Sequence, residues 1–214
     1  MTLTVNEIFF SIQGESTYAG LPCVFVRLTA CDLRCSWCDT AYAFSNGQKR
    51  SVDEVLTAVR QYACRLVEVT GGEPLLQDAV YALMERLLAE DFTVLLETGG
   101  HRSIARVPPA VVTVLDVKCP GSNESARVDW ENLERLRPHD QVKFVIADRR
   151  DYDFAREVLA RYDLAPRTAS VLFSPVHDVL DPRRLAEWVL ADRLPVRVQL
   201  QVHKYIWGAK ARGV

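Results

Sequence analysis

The chain has 214 residues, and its 26 Lys and Arg against 28 Asp and Glu give a formal net charge of −2. Hydrophobic residues make up 49% and charged residues 25%, which is the composition of an ordinary globular domain. The balanced charge argues against binding nucleic acid through a broad basic surface. No apolar run reaches the roughly 20 residues that a membrane helix needs. We therefore expect one globular domain with neither nucleic acid nor membrane as a partner.

The amino-terminal segment and the cysteine content indicate the cellular compartment of the protein. Arg27 is the first basic residue, so the segment before it has no positively charged start of a secretory signal. Six cysteines without an export signal are expected to be reduced thiols, which serve metal or redox chemistry more often than disulfide bonds. We expect a cytoplasmic protein.

Short β-branched runs alternate with amphipathic helical patterns along the chain. The predicted strands cover residues 23–29, 66–70, 92–97, 111–117, 141–146, 170–173 and 196–202. Their nearly continuous apolar character is typical of buried parallel strands. Because a complete eight-stranded barrel usually needs about 250 residues, the sequence predicts an α/β fold with a partial, incomplete parallel β/α barrel and reduced helix content.

Helix signals lie between the predicted strands. Ser51-Val52-Asp53-Glu54 is a capping box, and Asp181-Pro182 is an N-cap followed by proline at the first helical position. Helices are predicted over 51–59, 80–88, 129–136, 150–162 and from 181 onward. Because the sequence shows no internal repeat and no linker, we predict a single domain. It is divided into an amino-terminal extension (1–21), a partial barrel core (22–202) and a carboxy-terminal tail (203–214).

The sharpest motif is a C-x3-C-x2-C run of Cys31, Cys35 and Cys38, directly after the first predicted strand. Iron–sulfur clusters are held by thiolate runs of this kind, usually with four cysteines for a four-iron cube. Here the run stops at three. A cube with three protein ligands keeps one iron free to bind a group from outside the protein.

Zinc and redox chemistry are the alternatives for these cysteines. A structural zinc site needs a fourth ligand, for which Cys64, Cys119 or His101 is available, but no second cysteine pair exists. A redox C-x2-C pair would leave Cys31 unexplained. If they do not bind metal, Cys23 and Cys64 are predicted to be small buried hydrophobes, whereas Cys119 lies at a strand end.

The C-x3-C-x2-C run is similar to the signature of the radical S-adenosylmethionine superfamily. The resemblance implies that the amino and carboxylate groups of S-adenosylmethionine chelate the free iron. Reduction by one electron then cleaves the sulfonium and yields a 5′-deoxyadenosyl radical. The Gly71-Gly72-Glu73-Pro74 segment, after the second strand, resembles the element that contacts the cofactor's amino group.

Four further segments resemble one family within this superfamily, the 7-carboxy-7-deazaguanine synthases. They are Gln13-Gly14-Glu15, Arg27, Cys38-Asp39-Thr40 and the tail from Gln201 to Arg212-Gly213-Val214. The resemblance implies a lyase that contracts 6-carboxy-5,6,7,8-tetrahydropterin to 7-carboxy-7-deazaguanine, with loss of ammonia. This reaction belongs to queuosine and 7-deazapurine biosynthesis, and the family also uses Mg2+.

Residue roles follow from the resemblance, position by position. It implies that Cys31, Cys35 and Cys38 hold one [4Fe-4S] cluster and that Thr40 binds Mg2+. Contacts with S-adenosylmethionine are implied for Trp37, Cys38, Asp39, Gly72, Glu73, Asp116, Val117, Lys118, Ser174, Pro175, Val176 and His177. Substrate contacts are implied for Ile12, Gln13, Gly14, Arg27, Thr70, His203 and Val214. Many members have Ser-Pro-Lys where this chain has Asp-Val-Lys, so the chain departs from the family pattern at residues 116–118.

Three of these residues have a plain structural alternative. Arg27 suits a planar carboxylate of the substrate, but a strand arginine also forms structural ion pairs. Thr40 beside Asp39 is otherwise a turn residue, although Mg2+ often takes few protein ligands together with substrate oxygens and water. His203 is otherwise a core histidine.

The resemblance implies flavodoxin or ferredoxin as the reductant. A barrel with few covering helices is expected to expose apolar sheet, which favours a homodimer. Two other functions compete with the synthase. One is a different radical enzyme, such as a small glycyl-radical activase, and the other is a zinc-binding interaction module.

Overall fold

A computed structural model describes residues 1–214, and one nine-stranded sheet organises the chain. The strands are β1 (Thr2–Ile12), β2 (Pro22–Leu28), β3 (Gln48–Ser51), β4 (Leu66–Gly71), β5 (Thr93–Thr98), β6 (Val112–Asp116), β7 (Gln141–Ile146), β8 (Ser170–Pro175) and β9 (Arg197–Val198). Their order in the sheet is β3-β1-β2-β4-β5-β6-β7-β8-β9. From β2 to β9 every neighbouring pair is parallel. The predicted partial parallel barrel is confirmed.

Seven α-helices and four short 3-10 turns connect the strands. The helices are α1 (Val52–Arg60), α2 (Ala79–Ala89), α3 (Glu131–Arg135), α4 (Arg149–Arg161), α5 (Leu164–Arg167), α6 (Pro182–Asp192) and α7 (Val202–Ile206). The 3-10 turns are Ala41–Phe44, Pro74–Leu76, Pro120–Ser122 and Ser125–Arg127. Every predicted helix is present, and none of the helices combines the length and apolar character that crossing a membrane requires.

Two strands on one edge of the sheet were not predicted. The strand β1 lies within the segment taken as an extension before the core, yet it pairs antiparallel with β2 and with β3. Its side chains are buried in alternation only near its ends, and the middle is half-buried, so the period-2 signal is weak. The strand β3 is four polar residues, Gln48–Ser51, whose pairing depends on β1 rather than on its own sequence.

The last strand is shorter than predicted. The run 196–202 was expected to be one strand, but only Arg197 and Val198 pair with β8. Gln199 still donates its backbone N–H to Phe173, but its side chain turns to Ser16, and a short helix begins at Val202. As an edge strand, β9 pairs on one side only, and the segment after it bonds to the amino-terminal loop as well as to β8.

The sheet has two chemically different faces. On β2, Val24, Val26 and Leu28 pack into the main core beneath the helices, and β4 to β8 do the same with alternate residues. The opposite face of the strands carries Arg27 on β2, Glu68 on β4 and further polar residues that line a cavity. Because successive strand residues point to opposite faces, apolar helix packing and a polar interior come from the same strands.

The capping box at Ser51 fixes the start of α1. Ser51 Oγ accepts from the backbone N–H of Glu54, and the Glu54 carboxylate accepts from the backbone N–H of Ser51 at 2.6 Å. These two bonds satisfy amide groups that a helix start otherwise leaves without partners. They hold α1, whose apolar face packs over the first strands, at the junction with β3.

We expect Ser51→Ala to lower the free energy of unfolding by about 1 kcal/mol, because it removes the N-cap acceptor. Urea titration followed by circular dichroism measures the change. Thr57→Ala, on the exposed face of the same helix, is the control and should be neutral or slightly stabilising. A Ser51→Ala variant as stable as the wild type would contradict the role of Ser51 as the N-cap of α1.

Candidate active site

A cavity of about 620 Å3 opens at the carboxyl ends of the parallel strands. In barrels of parallel strands, this is the end where loops from several strands converge. Most of the residues with predicted site roles line this cavity. They are Ile12, Gln13, Gly14, Arg27, Cys31, Cys35, Trp37, Cys38, Asp39, Thr40, Thr70, Gly72, Glu73, Asp116, Lys118, Val176, His177, His203 and Val214. The fold therefore brings together segments from both ends of the chain and from most of the strands.

Three of the predicted cofactor residues do not line this cavity. Val117 is fully buried in the hydrophobic core. Ser174 is buried, and its hydroxyl has no hydrogen-bond partner. Pro175 lines a smaller neighbouring cavity of about 380 Å3 together with His177, which borders both. At the end of β6, alternation turns Val117 away from the main cavity, whereas at the end of β8 two consecutive residues, Ser174 and Pro175, lie outside it.

The three cysteines of the C-x3-C-x2-C run share one wall of the cavity. Ser36, between them, donates its backbone N–H to Ser122 O (3.1 Å) and its hydroxyl to Gly121 O (2.7 Å), which anchors the loop. The remaining three cysteines, Cys23, Cys64 and Cys119, do not line the cavity. Three thiols on one cavity wall, with no fourth cysteine beside them, fit an iron–sulfur cube that keeps one iron open toward the cavity.

The contacts do not favour zinc. No three Cys, His, Asp or Glu side chains are grouped closely enough to hold a single metal ion. Of the candidate fourth ligands, His101 is bonded through Nε2 to Asp32 at 2.6 Å, and Cys119 is buried in the core. Cys64 packs against the small apolar cluster of Cys23, Phe25 and Leu66 and does not line the cavity. Cys64 and Cys119 are thus packed away from the three-cysteine run, and Asp32, within that run, already occupies the Nε2 atom of His101.

The Gly71–Gly72–Glu73 segment lies directly against the backbone that leads into the cluster loop. Gly72 donates its N–H to Leu28 O at 3.0 Å, and Glu73 donates its N–H to Ala30 O at 2.8 Å. A Cβ on Gly72 would collide with Ala30, and Gly71 has a φ of +142°. Only glycine allows this contact, so the pair sets the distance between the second strand end and the cysteine loop.

The Glu73 carboxylate is fully buried and already has partners. It accepts from Thr98 Oγ1 (2.9 and 3.0 Å), from Gly99 N (2.8 Å) and from Leu75 N (2.9 Å). A carboxylate with this many donors keeps the loop shape rather than offering an unpaired oxygen. The Gly71–Glu73 segment therefore has its backbone groups, and not this carboxylate, available to a cofactor.

The floor of the cavity holds a buried ion cluster that the sequence analysis missed. Lys143 Nζ lies 2.8 Å from Glu15, contacts Glu97, and lies 3.7 Å from Asp116. Lys118 pairs with the same Asp116 at 2.8 Å. These charges project from β5, from β6 and the residues after it, from β7 and from the loop between β1 and β2 into one space, so each one compensates another.

This arrangement shifts the pKa values of the cavity groups in opposite directions. Burial and the nearby charge of Glu97 raise the pKa of Glu68 to about 8. Burial also raises the pKa of Glu97 above its ordinary value, although Lys143 opposes that shift. For Glu15, burial is outweighed by Lys143 and Gln201, which hold its pKa below the ordinary value. The cavity thus contains carboxyl groups in different protonation states near neutral pH.

Gln13 connects the amino-terminal loop to this floor. Its side-chain amide donates to Glu68, and its oxygen accepts from Glu15 N at 3.1 Å. The signal that could have revealed Glu68, Glu97 and Lys143 is simple. Each is a charged residue inside an otherwise apolar predicted strand, where an uncompensated charge is costly.

Arg27 occupies the wall opposite the ion cluster. Its Nε donates to Glu7 Oε1 at 2.8 Å, and its guanidinium lies near the rings of Phe9 and Tyr42. The Tyr42 hydroxyl donates to the same Glu7 oxygen at 2.7 Å. The Nη groups make no hydrogen bond within the chain. Both interpretations of Arg27 are therefore compatible with the geometry, since an ion pair holds one edge and leaves the other edge for a ligand.

The two ends of the chain close the cavity mouth together. Val202 donates its N–H to Gly14 O at 2.9 Å, and Gln201 donates to Glu15 at 2.7 Å. His203 packs against Gly14 so closely that a Cβ there would overlap the imidazole. Burial lowers the pKa of His203, which keeps the ring neutral near pH 7.

Thr40 and Asp39 form a small polar group at the rim. Thr40 Oγ1 donates to Asp39 Oδ1 at 3.0 Å. Asp39 Oδ2 pairs with Lys204 at 2.8 Å and lies 3.3 Å from Gln201 Nε2. Because its proton is directed at Asp39, the Thr40 hydroxyl has lone pairs free for a hard cation.

The raised pKa of Glu68 predicts a pH dependence of stability. Its ordinary value is 4.5 and its folded value about 8. The folded state therefore holds an extra proton between these values, and the free energy of unfolding falls as pH rises through that window, by at most about 1.4 kcal/mol per pH unit. Glu68→Gln should remove this loss, so its advantage over the wild type should grow from pH 5 to pH 8. Thermal midpoints measured anaerobically test this, with the exposed Glu85→Gln as control. Parallel curves for Glu68→Gln and the wild type would contradict the shift.

Comparison with known proteins identifies the family. Residues 26–147 match the model of the radical SAM superfamily. The chain is 50% identical to the 7-carboxy-7-deazaguanine synthase of Koribacter versatilis, covering 99% of this chain and 100% of that protein. The corresponding enzyme of Chlorobaculum tepidum is 44% identical over 99% of this chain and 97% of its own length.

A solved structure gives the same result. The crystal structure of QueE from Escherichia coli superposes with a TM-score of 0.79 at 26% identity, covering 95% of each chain. Sequence and fold agree over nearly the whole length. The similarity thus favours the synthase over the activase and over the zinc-binding module. The chain belongs to the 7-carboxy-7-deazaguanine synthase family of the radical SAM superfamily.

Proposed function

We propose that the chain contracts 6-carboxy-5,6,7,8-tetrahydropterin to 7-carboxy-7-deazaguanine, releasing ammonia, in queuosine and 7-deazapurine biosynthesis. One observation carries the proposal: the three-thiol loop, the Gly71–Glu73 segment, Arg27 and the chain's closing residues line a single cavity. The 50% identity over the whole chain to a protein of that name supports it. When bound, the [4Fe-4S] cluster and S-adenosylmethionine supply a 5′-deoxyadenosyl radical, and the protein positions the substrate and excludes water.

At the cofactor end, Cys31, Cys35 and Cys38 hold the cluster. The backbone of the Gly71–Glu73 segment is placed to accept from the cofactor's amino group, because the Glu73 carboxylate is fully engaged elsewhere. Trp37, Asp39, Asp116, Lys118, Val176 and His177 line the remaining cofactor space. Lys118 brings a buried positive charge to this end, and Asp116, which pairs with it, raises its pKa against the effect of burial. A charged lysine there suits a carboxylate of the ligand.

At the substrate end, the pterin ring offers several N–H donors and one carboxylate. Arg27 Nη groups are free to pair with the carboxylate. Gln13 and the loop backbone of Ile12 and Gly14 contact the ring, with Thr70, His203 and Val214 at its edges. The buried carboxyls beside Gln13 match the donors of the ring.

Magnesium belongs between these two ends. Thr40 Oγ1 has free lone pairs, and the other ligands of the ion come from substrate oxygens and water, as Mg2+ prefers. Asp39 orients Thr40 while its own charge is balanced by Lys204. In this proposal the ion would bind the same substrate carboxylate that pairs with Arg27.

The proposal extends to the surroundings of the enzyme. We expect a homodimer, because Leu200, Tyr205, Ile206 and Trp207 expose apolar surface near the β9 edge. Flavodoxin or ferredoxin is the expected reductant, and a cytoplasmic location suits reduced thiols. The division into an extension, a barrel core and a tail at residues 21 and 202 remains a prediction, although β1 pairs directly with the core strand β2.

The central experiment is anaerobic reconstitution with iron and sulfide, followed by incubation with S-adenosylmethionine, a reductant, Mg2+ and 6-carboxytetrahydropterin. We expect 7-carboxy-7-deazaguanine and 5′-deoxyadenosine by mass spectrometry. Cofactor cleavage without the deazaguanine would refute the substrate assignment. A colourless protein with stoichiometric zinc would refute the radical chemistry altogether.

Arg27→Ala should raise the KM for the pterin by roughly 10- to 100-fold, because a hydrogen bond to a charged group contributes about 1.5 to 3 kcal/mol. Steady-state kinetics at saturating S-adenosylmethionine measures it. Arg106→Ala is a matched control, since Arg106 pairs with Asp78 on the surface and does not line the cavity. An unchanged KM in Arg27→Ala would leave Arg27 with the structural ion pair only.

Thr40→Ala should raise the Mg2+ concentration needed for half-maximal product formation by roughly tenfold, because it removes the protein's ligand. Cleavage of S-adenosylmethionine without pterin should change little. Magnesium titrations of both activities test this, with Thr57→Ala as control. An equal loss of both activities would argue for a turn residue instead of a metal ligand.

A further inference from the structure

The imidazole of His101 lies between the cysteine loop and the Gly71–Glu73 segment, and it is not one of the residues predicted to bind the cluster or the cofactor. His101 follows β5, and its side chain is 2% exposed. Its Nε2 lies 2.6 Å from Asp32 Oδ1, which belongs to the cluster loop next to Cys31. Its Nδ1 lies 3.7 Å from Glu73 Oε2 and has no hydrogen-bond partner. A buried polar atom without a partner calls for a physical reason.

Asp32 is the shared hydrogen-bond acceptor of three side chains. Besides His101, it accepts from Arg102 Nη2 at 2.5 Å and from Arg127 Nη2 at 2.8 Å, and the Arg127 guanidinium also contacts its backbone carbonyl. A carboxylate beside a cluster ligand adds negative charge near the cluster. The guanidinium groups of Arg102 and Arg127 offset that charge, and His101 is the buried side chain bonded to the same carboxylate.

The opposite side of His101 is equally well fixed. Glu73 is held by Thr98, the last residue of β5, and by Gly99, which follows it; the same strand precedes His101. The imidazole therefore spans the gap between the cysteine loop and the Gly71–Glu73 segment. A ligand that binds the open iron and the backbone of that segment together must fit the distance between these two loops.

We propose that His101 is a positioning residue that fixes the distance between the cluster loop and the Gly71–Glu73 segment and holds the Asp32 carboxylate by a hydrogen bond beside the cluster. The inference rests on the cofactor pair of the proposed function and not on the pterin substrate. Residues that orient the ligands of a metal centre tune both its affinity and its electronic properties. His101 acts on the cofactor through Asp32 and Glu73.

The charges predict shifts of opposite sign in the cluster's reduction potential. Reduction adds an electron, so uncompensated negative charge nearby lowers the potential. His101→Phe removes a donor from Asp32 and should lower it. Asp32→Asn removes the negative charge while keeping an oxygen for His101 Nε2, and should raise the potential. General loosening of the loop would move both variants in the same direction.

The experiment uses the reconstituted full-length protein without pterin. Redox titrations followed by electron paramagnetic resonance give the midpoint potential, and calorimetry gives the Kd for S-adenosylmethionine. The variants are His101→Phe, His101→Gln and Asp32→Asn. His139→Phe is the matched control, because His139 is partly exposed and contacts only Val111 O and the edge of Asp140, away from the cavity.

We expect His101→Phe to weaken S-adenosylmethionine binding about tenfold and to lower the potential. His101→Gln, whose amide still donates to Asp32, should keep the wild-type potential and weaken binding only. Asp32→Asn should raise the potential with little change in Kd. Unchanged Kd and potential in His101→Phe, or shifts of one sign in His101→Phe and Asp32→Asn, would overturn the inference.

If His101→Phe fails to retain the cluster, the His101→Gln variant tests the inference. Weaker cofactor binding at an unchanged potential supports the positioning role, and wild-type binding refutes it. Turnover of the pterin by the wild type is measured separately. A wild type that binds the cofactor and fails to make product would refute the substrate assignment and leave these readouts intact.

Discussion

Charge on the inner face of the sheet is the constraint on which the structure depends. A parallel strand buried on both faces is ordinarily apolar, yet here Glu68, Glu97 and Lys143 point inward. Lys143 makes this tolerable because it gathers carboxylates from separate elements, including Glu15 of the amino-terminal loop. The ion pair between Glu15 and Lys143 helps to hold the amino-terminal loop against the cavity. The polar cavity and the closure of its mouth are thus one electrostatic arrangement.

At the cofactor end, close backbone packing fixes the arrangement that ion pairs fix at the cavity floor. Gly72 lies against Ala30 with no room for a side chain, and the buried Glu73 carboxylate fixes the turn that follows. The cysteine loop begins immediately after this contact. Two strand ends are therefore held at one separation by backbone contact, and the flexible part of the site is left to its rim.

The sequence was sufficient for the parts of this fold that are encoded locally. Capping residues and apolar periodicity predicted the helices, and the cysteine spacing predicted the cofactor end of the site. What it did not provide depends on distant partners. The strand β3 exists because β1 pairs with it, and the run 196–202 becomes a two-residue strand because Gln199 finds Ser16. The ion cluster also escaped prediction, since a single Lys143 in an apolar run shows its function only when Glu97 lies beside it.

The contact of Gly14 with Val202 and His203 has a consequence for the order in which the protein assembles. These residues are near opposite ends of the chain, and amino-terminal segments leave the ribosome first. The cysteine loop and the acidic floor are therefore synthesised long before the segment that covers them. Pairing elements this far apart in sequence is slow because a large loop must close first. A nascent chain thus has an interval in which its thiols face water, and it becomes a sheltered catalyst only with the last element in place.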